Sequence, residues 1–297
     1  VYNCNDGVGT SPNKRHNYVD IDGVNDLASE LPAPVKLRIG VTDYMDKFYM
    51  GIQNNLMGLG LVQPWDEMEN YTLAGTSDVV NSAASGGEYK QITLAAATEA
   101  ILAINYDYTN YSGGYHKFFV TLFSMPAMAV KMKVQVCDPD SFTVIDETPW
   151  VFVGSDRLMV LGDLRLPPGR STMPDSGNFM NYRFNLVLYS TAGGTVNLDA
   201  LYWLPMASHL EIGSTIADLL NTEVLVYEEG LSHKTYKESY NAGKYINNID
   251  VKNGSGLWLY PGVLSRLHLL MTEVSLGAGI NDYVTMTMWY KPRRVTL

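Results

Sequence analysis

Two small groups of carboxylates are the first residues in this chain whose types and spacing could do chemistry. Asp66, Glu67 and Glu69 are clustered, and Asp138 and Asp140 flank Pro139. A glycoside hydrolase needs an acid and a base or nucleophile ~5–9.5 Å apart, and either group offers at least two carboxyls. A structural reading is simpler. Asp-Pro-Asp is turn chemistry, its side chains bonding nearby backbone, and the 66–69 acids suit a turn cap or a bound cation. Asp199 is a different case: it sits mid-strand between Leu198 and Ala200. A buried carboxylate without a partner is costly, so it must meet solvent, a donor or a metal.

The five histidines, His16, His116, His209, His233 and His268, lack the i, i+2 or i, i+4 spacing of a metal pair. No nucleophile elbow, phosphate loop or dinucleotide fingerprint occurs. The sequence reads as non-enzymatic and without an obligatory cofactor. Aromatic side chains are the remaining functional material. Tyr108, Tyr111 and Tyr115 in YDYTNYSGGY, with Trp203, are the candidates for stacking on sugar rings; Trp65, Trp150, Trp258 and Trp289 are the other tryptophans. Core and subunit contacts draw on the same residue types.

The elements that must position these groups are strands. Strand-like runs, such as Lys117–Phe123, Val130–Val136 and the alternating terminal DYVTMTMWYK, recur between Gly/Pro turns. That pattern points to a sandwich or barrel. A helical turn is expected only at Thr215–Thr222. In YRFNLVLYSTAGGTVNLDALYWLPM (182–206) two alternating runs flank a Gly-Gly turn, which reads as a β-hairpin. Val196, Leu198, Ala200 and Tyr202 would share one face, opposite Asp199, Leu201 and Trp203. Strand density divides the chain. An extended arm is expected at 1–31 and a smaller β domain from 32–58 with 208–297. A sandwich is expected at 59–207, reached through a long surface excursion over 54–87.

Composition narrows the partners. Hydrophobic residues make up 46% of 297 positions and charged ones 18%, so a sizeable core is available. The net charge of −10 excludes nucleic acid as the main partner. The only basic clusters, Lys14-Arg15-His16 and Lys291-Pro292-Arg293-Arg294, are short and near the termini. No apolar run approaches the ~20 residues of a membrane-spanning helix. Cys4 and Cys137 are the only cysteines, with their pairing left open.

EMENYTL (67–73), SAASGGEY (82–89), SGGYHKFFVTLFSM (112–125) and TVNLDALYWLPM (195–206) form an ordered set. The set resembles the jelly-roll, galactose-binding-like β-sandwich of many carbohydrate-binding modules. The resemblance implies a structural calcium joined by Asp199 with an early Glu, here Glu67 or Glu69. Calcium wants more oxygens than these supply, so backbone carbonyls would have to contribute.

A second resemblance covers the ends. LPAPVKLRIGVTD (31–43), GLWLYPGVLSRLHLLMTE (256–273) and VTMTMWYKPRR (284–294) are similar to tail-associated virion proteins of tailed phages and prophages, with Ser265 where those often have Asn. It implies a virion structural subunit that contacts copies of itself and other virion proteins. The alternatives are a non-catalytic carbohydrate-binding module meeting host glycans, and a capsid decoration or minor capsid protein.

Overall fold

The computed structural model describes residues 2–4, 16–22, 29–41, 45–54, 65–71, 75–82, 84, 87–106, 114–138, 141–155, 157–166, 182–206, 208–212, 222–228, 234–239, 245–248, 253–254, 256–273 and 284–294. The helical turn expected at Thr215–Thr222 lies outside them apart from Thr222. The chain divides into two compact units, Val1–Leu61 with Pro205–Leu297, and Val62–Leu204. One is thus inserted in the sequence of the other, and both are built of antiparallel strands.

The flanking unit begins with β1 (Tyr2–Cys4), β2 (His16–Asp22), β3 (Ala33–Val41) and β4 (Met45–Asn54). The segment expected as an arm therefore supplies edge strands. β1 pairs with the last strand of the chain, and β2 runs beside 264–270 from His16↔Leu270 to Asp22↔Leu264.

The inserted unit follows. Its strands are β5 (Trp65–Glu67), β6 (Thr76–Val80), β7 (Glu88–Leu94), β8 (Thr98–Tyr106), β9 (Gly114–Ser124), β10 (Lys131–Cys137), β11 (Val144–Glu147), β12 (Val151–Phe152), β13 (Leu158–Leu166), β14 (Tyr182–Ser190) and β15 (Gly194–Pro205). The 54–87 stretch is thus not simply a surface excursion. β5 pairs with β15, β6 with β7, and Met68 between them is fully buried.

The inserted unit has two sheets, ordered β13-β9-β15-β7-β6 and β11-β10-β14-β8. Take β7, β8, β9, β10, β11, β13, β14 and β15 as the eight main strands. The first sheet then reads first-eighth-third-sixth, and the second reads second-seventh-fourth-fifth. That is jelly-roll order. Each sheet contributes one face to a shared core. Phe118, Val120, Leu122, Leu161, Leu164, Val196 and Leu198 come from one, and Leu102, Ile104, Met132, Val134, Phe184, Leu186 and Leu188 from the other. The alternation of β10, buried at Met132, Val134 and Val136, is the period-two signature of a strand with one face on the core.

Tyr182–Met206 is not a hairpin. β14 lies between β10 and β8, whereas β15 lies between β9 and β7 in the opposite sheet. Both are central strands, so neither has a free edge for the other. The Gly-Gly segment carries the chain from sheet to sheet, with Gly193 at φ 71° and Gly194 at φ 125°. A Cβ on Gly193 would stand 2.9 Å from the Leu94 carbonyl oxygen. Glycine is required there by both dihedral angle and close approach.

The phase of β15 also differs from the expected alternation. Val196 and Leu198 face the core, and then Leu201 and Trp203 do. The core-facing register slips by one residue across Asp199-Ala200. The Thr121 hydroxyl meets the backbone at the slip: Ala200 N–H donates to Thr121 Oγ1 at 3.0 Å, and Thr121 Oγ1 donates to the Ala200 carbonyl at 3.2 Å. These bonds tie β9 to β15 at the slip.

The chain returns to the flanking unit with β16 (His209–Ile212), β17 (Glu223–Glu228), β18 (Lys234–Ser239), β19 (Tyr245–Asn248), β20 (Asn253–Gly254), β21 (Trp258–Leu259), β22 (Leu264–Glu273) and β23 (Val284–Tyr290). Its sheets are β1-β23-β3-β17-β18-β19, with β21 beside β3, and β2-β22-β4-β16-β20. Leu37, Ile39, Leu225, Tyr227 and Met286 from one meet Ile21, Met50, Ile52, Leu267 and Leu269 from the other. This unit is a sandwich in its own right, with as full a set of strands as the inserted one.

Candidate functional site

The acidic segment after β5 is organised first by Asp66. Its carboxylate accepts from the Glu67 backbone N–H at 2.9 Å, from Asn70 Nδ2 at 2.7 Å, and from the Tyr71 hydroxyl. These bonds hold a single 3-10 turn, Met68–Asn70, with Met68 in the core. Asp66 therefore braces the turn from the residue before its N-cap, through the Asn70 and Tyr71 side chains. Asp138 does the same work in the β10–β11 turn, where Ser141 N–H and Oγ donate to its Oδ1 at 2.8 and 3.0 Å. Both acids bond nearby backbone, as their turn-like sequences suggest.

The braced turn brings Glu69 into the neighbourhood of Glu67, Asp199 and Glu88. Ala200 pairs with Glu67 across the β15–β5 ladder, and Asp199 is buried beside it. The Glu69 carboxyl is raised from 4.5 to about 7. Burial is the main cause, hydrogen bonding to its own backbone opposes it, and the negative charges of Glu67, Asp199 and Glu88 add to it. Glu69 Oε2 is buried and accepts no hydrogen bond. On the other side of the turn, Lys90 is buried, pairs with Asp78, and reaches the Glu69 carbonyl at 3.4 Å.

This arrangement does not fit the expected calcium. Among the described residues no three His, Cys, Asp or Glu side chains are grouped to hold a metal ion. Glu67, Glu69 and Asp199 share a field but not a coordination shell, which for calcium means 6–8 oxygens at ~2.3–2.6 Å.

The cluster has a measurable consequence. The folded value of Glu69 lies above its ordinary one, so the native state binds an extra proton between 4.5 and about 7. Stability contributed by that proton is present below this window and lost as pH rises through it. Glu69→Gln is expected to raise stability at pH 8 by roughly 1 kcal/mol, discounted for partial exposure, and to change little at pH 4.5. Thermal unfolding at the two pH values checks this.

The sugar-stacking candidates are not brought together. Tyr108 and Tyr111 lie outside the described residues. Tyr115 is exposed on β9 opposite Arg165 of β13. Trp203 has no exposed surface and its ring packs on Phe184 with centroids 5.4 Å apart. It cannot serve as a stacking platform, because the register slip at Asp199-Ala200 turns it into the core.

Sequence reasoning missed a different aromatic group. Trp150 meets Tyr189 edge-on with centroids 6.3 Å apart, and Lys131 Nζ stands 4.5 Å from each ring. The KMKVQVC alternation places Lys131 and Lys133 on the outer face, but only the cross-strand register reveals their aromatic neighbours. Cys137, on the same strand, is buried as a free thiol raised by burial, with nearby Arg183 opposing.

No family model matches the sequence, and no curated protein matches it. Among solved structures, an exo-beta-1,3-galactanase from Phanerochaete chrysosporium, solved with galactose, is similar over 48% of this chain at 15% identity and a TM-score of 0.29. The match spans 30% of that protein's length. A likeness at this level bears on neither ligand nor activity. The class the molecule defines is that of an all-β protein in which a jelly-roll sandwich is inserted into a second sandwich.

Proposed function

We propose that this chain is a non-catalytic structural subunit that works by assembling with copies of itself and with other proteins of a phage-like, tail-associated particle. The observation that carries the reading is the β11 edge. Among the described residues β11 pairs with β10 alone, and all four of its residues are exposed. Val144 is 42% and Ile145 50% exposed. β11 has one row of backbone donors and acceptors unpaired among the described residues, with Val144 and Ile145 exposed ahead of Asp146 and Glu147; such an edge can template another strand, and proteins usually blunt or cover it. Here the cover is a neighbouring subunit.

Asp66 and Asp138 are engaged in holding turns, and Glu69 is a half-buried carboxyl in a field of like charge. The placement in a virion tail rests on the resemblance of 31–43, 256–273 and 284–294 to phage tail proteins; a capsid decoration is the alternative position. Electron microscopy of particles containing the chain tests the reading. It is expected to show β11 at a boundary between subunits. Finding β11 turned to solvent in every copy overturns it.

A further inference from the structure

The outer face of the β11-β10-β14-β8 sheet carries a pattern that assembly through the β11 edge does not use. Cross-strand register places Phe152, Lys131, Tyr189 and Glu99 in one row. Trp150 stands over the same row, against Tyr189. The Lys131 ammonium is met by the two rings at 4.5 Å, and no carboxylate pairs with it among the described residues. Lys133 Nζ lies 4.9 Å from the Trp150 ring but is neutralised by Glu147 at 2.8 Å. Phe152 is 69% exposed.

The other end of the face repeats the motif. Arg183 sits opposite Cys137, and its guanidinium lies 4.5 Å from the Phe142 ring. Its Nε donates to Asn185 Oδ1 at 3.0 Å, and again no carboxylate neutralises it among the described residues. Phe142 is 57% exposed and held at φ 57°, a left-handed conformation that strains an aromatic residue. Between the two ends the floor is closed. Asn185, Val187 and Cys137 are buried, and Asn185 Nδ2 donates to Gln135 Oε1 and Cys137 Sγ. Arg183 and Tyr189 are separated along β14 by about 20 Å at the rise of a strand.

Each end thus offers an exposed ring beside a cation whose partner is a π face. A π face attracts the cation but leaves its charge in place, so each end still attracts an anion. Rings of this kind accept the apolar face of a sugar, and the cations accept carboxylates. Two cations so far apart suit a polymer with rings and spaced charges. A nucleic-acid strand is held by many basic contacts along its phosphates and by stacking of its bases, and two cations about 20 Å apart do not make such a track. We propose that this face binds an extended acidic polysaccharide, with carboxylates at Lys131 and Arg183 and sugar rings against Phe152, Trp150 and Phe142.

The test is affinity electrophoresis of the full chain against polygalacturonate, alginate and hyaluronate, with dextran as neutral control and a dT20 oligonucleotide as competitor. At least one acidic polymer is expected to retard the protein, less so as salt is added. Lys131→Met keeps the side-chain stem and is expected to weaken retardation about tenfold, the equivalent of ~1.4 kcal/mol. Phe152→Ala, at an exposed position, is expected to weaken it similarly while melting like the parent. The proposal is overturned if none of the three acidic polymers retards the protein, if dextran does so equally, or if dT20 displaces the acidic polymer. It is also overturned if both variants bind as the parent does.

Discussion

Trp203→Ala is expected to destabilise the inserted unit by about 3–5 kcal/mol, the range for deleting a buried large aromatic. The side chain has no exposed surface and packs with Phe184 in the core shared by the two jelly-roll sheets. Phe184 in turn meets Phe118 edge-on at 5.3 Å, so the cavity would open beside Phe184, which is itself held against a ring from the opposite sheet. Rings so interlocked cannot collapse into the space without leaving their rotamers, which places the cost toward the upper part of the range. Denaturant unfolding followed by circular dichroism measures it. A stability near that of the parent would mean that Trp203 lies at the surface and that the register slip at Asp199-Ala200 is wrong.

Acid is expected to weaken the same unit through His116. This β9 side chain is buried, and its Nδ1–H donates to the Gly114 carbonyl at 2.9 Å. Burial lowers its pKa from 6.5 to about 4, with the Gly114 bond opposing. The folded value lies below the unfolded one, so the unfolded chain takes up a proton that the native one refuses. Stability from this group is therefore complete above pH 6.5 and drains away as pH falls toward 4, by about 3 kcal/mol in all. Glu69 works in the opposite sense over part of the range. His116→Leu isolates the effect: its unfolding free energy should change less between pH 7 and 4.5 than that of the parent. Equal slopes would show that His116 does not titrate between these states.

The strands and the two-unit organisation were legible because period-two alternation and turn residues are local signals. The alternation of Lys131–Cys137 survives intact in β10, and Asp66 and Asp138 hold turns as their neighbours suggest. What was not legible depended on partners distant in sequence. The Gly193-Gly194 turn looked like a hairpin because sequence shows two strands and a turn, not that β14 and β15 each have both edges occupied by other strands. The slip at Ala200 is fixed by Thr121, far away on β9, and it alone decides that Trp203 faces inward. The Lys131–Trp150–Tyr189 group needs the register of three strands and leaves no motif behind. Glu67 and Asp199 act on Glu69 through their charge, whereas the resemblance implied that the three would share a metal. Their geometry instead gives one half-buried carboxyl that holds its proton to unusually high pH.

The central claim is that this chain acts by assembly, with β11 as a contact edge. Sedimentation velocity of the purified full chain over rising concentration, beside Ile145→Lys, tests it most directly. Ile145 is half exposed and carries no core contact among the buried clusters, so the variant should fold as the parent does. The parent is expected to shift toward larger species as concentration rises, and Ile145→Lys to stay at the monomer. A parent chain that remains monomeric to its solubility limit, or a variant that associates as strongly as the parent, would contradict the account.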